Sequence, residues 1–364
     1  MASPYRGFTV KAHIHFDYSP TNAAVPFTDD VSTAVRIAGA NGTARTFHPI
    51  IDTGSCGFVI SAVDLPDWTK EEAARNPPGW EFLSSSKILY SGHWIPRDVA
   101  FTNAKQVVVA RVPLLAVESK VHCPGYNATR DRDACPAAAA AGASATPMPS
   151  NIRVLGVGFG REHDGMPQGT PDKNAFINVR SIGGLDVAGS PDFRNGYIVD
   201  RAGVTVGLTE ENTARMRFAK LDVRPGAADA RDWDQVLGAV AIDGSSLFVG
   251  KALVDTGVSQ MYATVPKGTK VKRTKPPVLD DASFVELRIG PLGNGGFAAQ
   301  DNFTVGQGKG QDEGIVPSSV RVTLADPEKN APHLNTGRHF LRRWETAFDC
   351  DGGFFGLRRV QEHD

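Results

Sequence analysis

Apolar and polar residues change places over short runs in this chain, and glycine or proline ends most of the runs. "FTVKAHIHF", from Phe8 to Phe16, alternates with a period of two, the pattern of a half-buried strand. "TAVRIAG" from Thr33, "QVVVARVPLLAV" from Gln106 and "GVTVGLT" from Gly203 are β-branched runs between turn residues and read as strands as well. Sustained helical periodicity is scarce. "TKEEAARN" from Thr69 and "FLRRWETA" from Phe340 are the best short candidates. The pattern predicts a mostly β protein with short helices. Residues 123–150, which hold the low-complexity run "PAAAAAGASATPMPS", read as a surface excursion, and residues 290–314 read as a second, Gly-rich one.

Composition narrows the function classes. With 41% hydrophobic and 22% charged residues, the chain has enough apolar surface to fold. Its 364 residues suggest two domains or lobes. A net charge of -1 gives no field to draw nucleic acid or an anionic membrane. No stretch approaches the roughly 20 apolar residues of a membrane span. The start lacks an apolar signal core, so the chain as written is expected in the cytosol. Asn41, Asn127 and Asn302 head glycosylation sequons, and Cys123 and Cys135 are spaced to close a disulfide loop. Those features fit a secreted protein whose leader is missing from the sequence.

The most informative feature is a repeat. "IIDTGS" ends at Ser55, and "LVDTGVS" ends at Ser259. Each copy has an apolar pair, then Asp-Thr-Gly, then a serine. Each is followed much later by a glycine-bearing strand, "VLGVGFG" from Val154 and "LNTGRHFLRRW" from Leu334. In the first copy, Gly54 lets the backbone bend after Asp52, and the hydroxyls of Thr53 and Ser55 are placed to bond backbone and carboxylate. Asp255, Thr256, Gly257 and Ser259 repeat the arrangement. If a pseudo-twofold axis brings the copies together, Asp52 and Asp255 share one proton and titrate as a unit. One carboxylate can then take a proton from water while the other supplies one to a carbonyl oxygen.

On these residues the chain resembles the pepsin-like aspartic peptidases over nearly its whole length. "KILYSGHW" resembles the family's flap hairpin, with Tyr90 as the flap tyrosine and Ser91 and Gly92 after it. "GRHFLRRWETAFDCDGGFFGLRR" resembles the C-terminal signature, with Phe340, Leu341, Arg342, Phe348, Asp349 and Gly356 in the family's spacing. The resemblance implies a bilobal, mostly β fold with a cleft between pseudo-twofold-related lobes, residues 1–212 and 213–364. It implies catalysis by Asp52 and Asp255 without a metal or cofactor, acting on an extended polypeptide, in a monomer.

Departures from the family pattern are equally specific. Val258 stands where a Ser or Thr usually follows the second Asp-Thr-Gly, which removes a donor to the carboxylate and predicts a less acidic optimum. Val59 stands where a tryptophan usually bonds the flap tyrosine. The flap is short, and Asn335-Thr336-Gly337 replaces an apolar pair before glycine. Three readings follow: an aspartic endopeptidase; a pepsin-fold protein turned to chemistry on a small apolar molecule, such as a cyclisation or isomerisation; or a catalytically silent binding protein.

Overall fold

The computed structural model describes residues 3–18, 26–136, 141–142, 144–161, 166, 168–224, 226–307, 314–326, 328 and 330–360. The chain divides into two compact units. One holds Ile14–Asp17 and Ser32–Ser190, and the other holds Met1–His13, Tyr18–Val31 and Pro191–Asp364. Residues 191–212, read from sequence as the end of the first lobe, are thus counted with the C-terminal half. Their strands Gly196–Val199 and Gly203–Val206 pair with each other, and Gly196–Val199 also pairs with Trp344–Asp349.

In the Ser32–Ser190 unit the main sheet runs, edge to edge, Ala44–Phe47, Val35–Ala38, Ile88–Phe101, Val108–His122, Cys56–Ser61, Arg153–Val157 and Ile50–Asp52. Arg153–Val157 lies parallel to Ile50–Asp52 and antiparallel to Cys56–Ser61, so it passes between the two arms of the first Asp-Thr-Gly turn. Ile51, Phe58, Ile60, Leu114 and Leu155 are fully buried around this crossing. Burial of each such side chain contributes about 1.5–3 kcal/mol. The helix Lys70–Ala74 forms where "TKEEAARN" predicts it, because the Thr69 side chain caps it by accepting from the Glu72 amide.

The other unit contains two sheets. One orders Gly203–Val206, Gly196–Val199, Trp344–Asp349, Phe354–Arg359 and Arg217–Lys220. At its centre Asp349 is fully buried, and its charge is met by a two-pronged Arg194 at 3.0 and 2.9 Å and by the Tyr5 hydroxyl at 3.2 Å. The second sheet orders Phe297–Thr304, Phe284–Pro291, Leu237–Ile242, Phe248–Leu253, His333–Asn335, Met261–Pro266 and Val320–Ala325. Here His333–Asn335 lies parallel to Phe248–Leu253 and antiparallel to Met261–Pro266. The first unit's crossing is thereby repeated around the second Asp-Thr-Gly.

Two sequence expectations are corrected. "FLRRWETA" is not an α-helix: Arg338–Arg342 forms a 3-10 turn and Trp344 opens a strand. That strand pairs on both sides, with Tyr197 opposite Phe348 and Phe355 opposite Phe348, so sheet pairing overrides a weak local preference. Residues 290–314 are not wholly an excursion either, because Phe297–Thr304 pairs along its length with Phe284–Pro291. No helix among the described residues is long and apolar enough to cross a membrane.

Candidate active site

Each Asp-Thr-Gly turn holds its acid from two sides. In the first, the Gly54 amide donates to Asp52 Oδ1 at 2.7 Å and the Ser55 hydroxyl donates to Asp52 Oδ2 at 2.7 Å. Thr53 and Ser55 are buried, while Asp52 is half-buried. Gly156 is the Cα partner of Asp52 in the parallel pair. A Cβ there would stand 2.6 Å from Ser55 Oγ and 2.7 Å from the Cys56 amide, so only glycine fits where the strand crosses behind the turn.

In the second turn the Gly257 amide donates to Asp255 Oδ1 at 2.8 Å. The side-chain donor is unexpected. Asn335 Nδ2, from the crossing strand, donates to Asp255 Oδ2 at 2.6 Å, and Asn335 Oδ1 accepts from the Gly337 amide at 2.9 Å. Two sequence departures therefore compensate for each other. Val258 takes a hydroxyl away, and Asn335, in place of an apolar residue, returns a donor. The expectation of a less acidic optimum rested on that missing donor and loses its basis. Ser259 Oγ lies 3.0 Å from Ser318 Oγ. Asp255 is 6% exposed, and Thr256 is fully buried beside it.

The stretch that resembles a flap hairpin lies in a hairpin. Pro78–Leu83 and Ile88–Phe101 form the hairpin, with Leu83 opposite Ile88, so residues 84–87 make the turn. Tyr90, Ser91 and Gly92 lie inside the second strand. Between Ser91 and Gly92 the register with Val108–His122 slips, from Ser119 to Val117. This is a bulge with Glu118 as the extra residue. A Cβ on Gly92 would meet the Ala116 carbonyl oxygen at 1.9 Å, so the glycine serves the bulge and not a turn. Tyr90 is 7% exposed and packs with Val59, Trp94, Leu115, Val117 and Ile152. Val59, expected to loosen the tyrosine, is part of the cluster that buries it.

Glu81 escaped the sequence reading. It is 4% exposed, directly opposite Tyr90 in the hairpin, and neither carboxyl oxygen has a hydrogen-bond partner. Burial pushes its carboxyl well above the usual glutamate range, and the nearby Asp52 charge pushes it further, while Arg161 and the Ser55 hydroxyl pull the other way. A cavity of about 10 Å³, room for about one water, adjoins Glu81, Trp80, Cys56 and Gln168. The only sequence sign was an acid between Trp80 and Phe82 in a strand. Cys56 is buried, and burial pushes its thiol up, which leaves it a poor nucleophile.

Cys123 and Cys135 are joined in a disulfide, with Cα atoms 5.9 Å apart. Asn41, Asn127 and Asn302 are exposed. Among the described residues no His, Cys, Asp or Glu group is arranged to hold a metal ion.

No protein-family model matches the chain, and no curated protein matches it. Among solved structures, an aspartic proteinase from Irpex lacteus is similar over 97% of this chain and 98% of its own, with a TM-score of 0.52 and 12% sequence identity. At that identity the likeness establishes architecture: the chain has the mostly β, pepsin-like acid protease fold.

Proposed function

We propose that the protein is an aspartic-type hydrolase in which Asp52 and Asp255 act as a pair on an amide bond of an extended polypeptide. The observation that carries this reading is the matched setting of the two acids. In each turn a glycine amide binds Oδ1 and a side-chain donor binds Oδ2, at 2.6 to 2.8 Å. A structural turn has no need of a carboxylate held so fully, and here the arrangement occurs twice. In the proposed reaction one carboxylate removes a proton from water as its oxygen adds to the amide carbon. The other acid protonates the carbonyl oxygen, and the tetrahedral intermediate then expels the amine after proton transfer to nitrogen.

The test is cleavage of denatured globin by the purified protein, with and without pepstatin, alongside Asp52→Asn and Asp255→Asn. Pepstatin-sensitive cleavage that either substitution abolishes is the expected result. Cleavage that survives both substitutions sinks the proposal.

A second reading draws on the hairpin. Tyr90 is buried in a continuous strand, so residues 90–92 offer no projecting tip to cover a peptide backbone. That favours a small apolar substrate, with the acid pair promoting a cyclisation or isomerisation. Tight binding of such a compound without globin cleavage would select it.

A further inference from the structure

The donors at the two Oδ2 atoms differ in kind. A serine hydroxyl can donate or accept, so Ser55 can turn to accept a hydrogen bond from a protonated Asp52 Oδ2. A carboxamide NH₂ only donates. The Asn335 amide is also held one way round, because its Oδ1 accepts from the Gly337 amide. Flipping it would set carbonyl against carboxylate on one side and NH₂ against N–H on the other. Asp255 Oδ2 therefore faces a fixed donor, and Oδ1 faces the Gly257 amide.

We infer that Asn335 is a positioning residue that holds Asp255 ionised, so that Asp255 is the base of the pair and Asp52 carries its proton. The assignment rests on the paired-acid reading above. The charged groups on the neighbouring strands are compatible with it. Tyr262 is the Cα partner of both Asn335 and Arg321; burial pushes its hydroxyl up, Arg321 opposes this, and the nearby Asp255 adds a little. Arg321 supplies a cation in that neighbourhood. His333 precedes Asn335 on the crossing strand, and Lys251 lies on the strand that leads into the turn. Glu81 is the buried acid in the neighbourhood of Asp52.

The experiment is a carbon-13 NMR titration of the aspartate carboxyl carbons in the full chain, assigned with Asp52→Asn and Asp255→Asn. In the unaltered protein Asp255 should ionise at lower pH than Asp52. Asn335→Leu should raise the Asp255 midpoint by about one pH unit. Adding Val258→Ser to Asn335→Leu, which places a hydroxyl where the first turn has Ser55, should reverse most of that shift. Ionisation of Asp52 first, or an Asp255 midpoint unmoved by Asn335→Leu, overturns the assignment. If Asn335→Leu does not fold, the order in the unaltered protein decides. The titration needs no substrate, so it stands apart from the paired-acid reading, which fails instead if both Asp→Asn variants retain catalysis.

Discussion

Glu81 and Tyr90 are Cα partners across the hairpin, and the acid is the more deeply buried of the two. A carboxyl held above its ordinary range takes up a proton on folding. Its contribution to stability is therefore most favourable below about pH 4.5 and declines as pH rises toward the folded value. Glu81→Gln should flatten that decline. The variant should melt above the unaltered protein at pH 7 and close to it at pH 4. The gap at neutral pH is about 1.4 kcal/mol for each tenfold change in acidity constant. Melting curves that run parallel in the two proteins from pH 4 to 7 would refute the buried, neutral acid.

His339 acts in the opposite direction. It is buried, and burial followed by the Arg342 and Arg338 charges pushes its imidazole down to about 4, against the pull of the Val316 carbonyl at 2.7 Å. The ring is neutral in the folded chain, while the unfolded chain protonates near pH 6.5. Stability is full above 6.5 and is lost as pH falls toward 4, by about 3 kcal/mol in all. His339→Asn keeps a donor for Val316 and has nothing to titrate. Chemical denaturation at pH 7 and pH 4.5 should show a smaller acid-induced loss in this variant, and an equal loss would count against the assignment.

Gly156→Ala should be among the most damaging single-methyl changes in the protein. The added carbon meets Ser55 Oγ and the Cys56 amide, both parts of the turn that holds Asp52. Neither is a flexible side-chain end. A loss of about 1–3 kcal/mol is expected in urea denaturation, together with a larger relative loss of activity because Ser55 must move. Unchanged stability would mean the crossing strand can step back without effect.

Cys123→Ser with Cys135→Ser opens a loop with a sequence separation of 12. Chain-entropy arguments put the effect at about 3 kcal/mol for a loop of that order. Cys123 packs with Trp80 and Leu89, and Tyr126 within the loop stacks on Phe82 at 4.3 Å. The loss should therefore register as increased amide exchange in Pro78–Leu83. Exchange unchanged along that strand would show that the bridge supports only its own loop.

Much of the architecture was legible because its signals are local. Thr69 announces its helix, and the apolar pairs before Asp52 and Asp255 announce buried strands that end in turns. What could not be read depends on partners distant in sequence. Val258 and Asn335 each looked like a defect alone, and only a contact across 80 residues makes them one device. The hairpin that "KILYSGHW" resembles is present around Tyr90, but nothing local marks the bulge between Val117 and Ser119 that Gly92 accommodates. Glu81 gave no warning, because a strand's alternation says which face a residue takes and not how deeply that face is covered.

The crossing strands also bear on how the molecule comes into being. Asp52 gains its neighbour Gly156, and Asp255 its neighbour Asn335, only after long intervening stretches have been synthesised and threaded into place. Closing such distant pairings is slow compared with forming helices or hairpins. A nascent or clipped chain that lacks either crossing strand would carry the acids but not the cage of donors around them. The two acids would thus be fully held only late in folding.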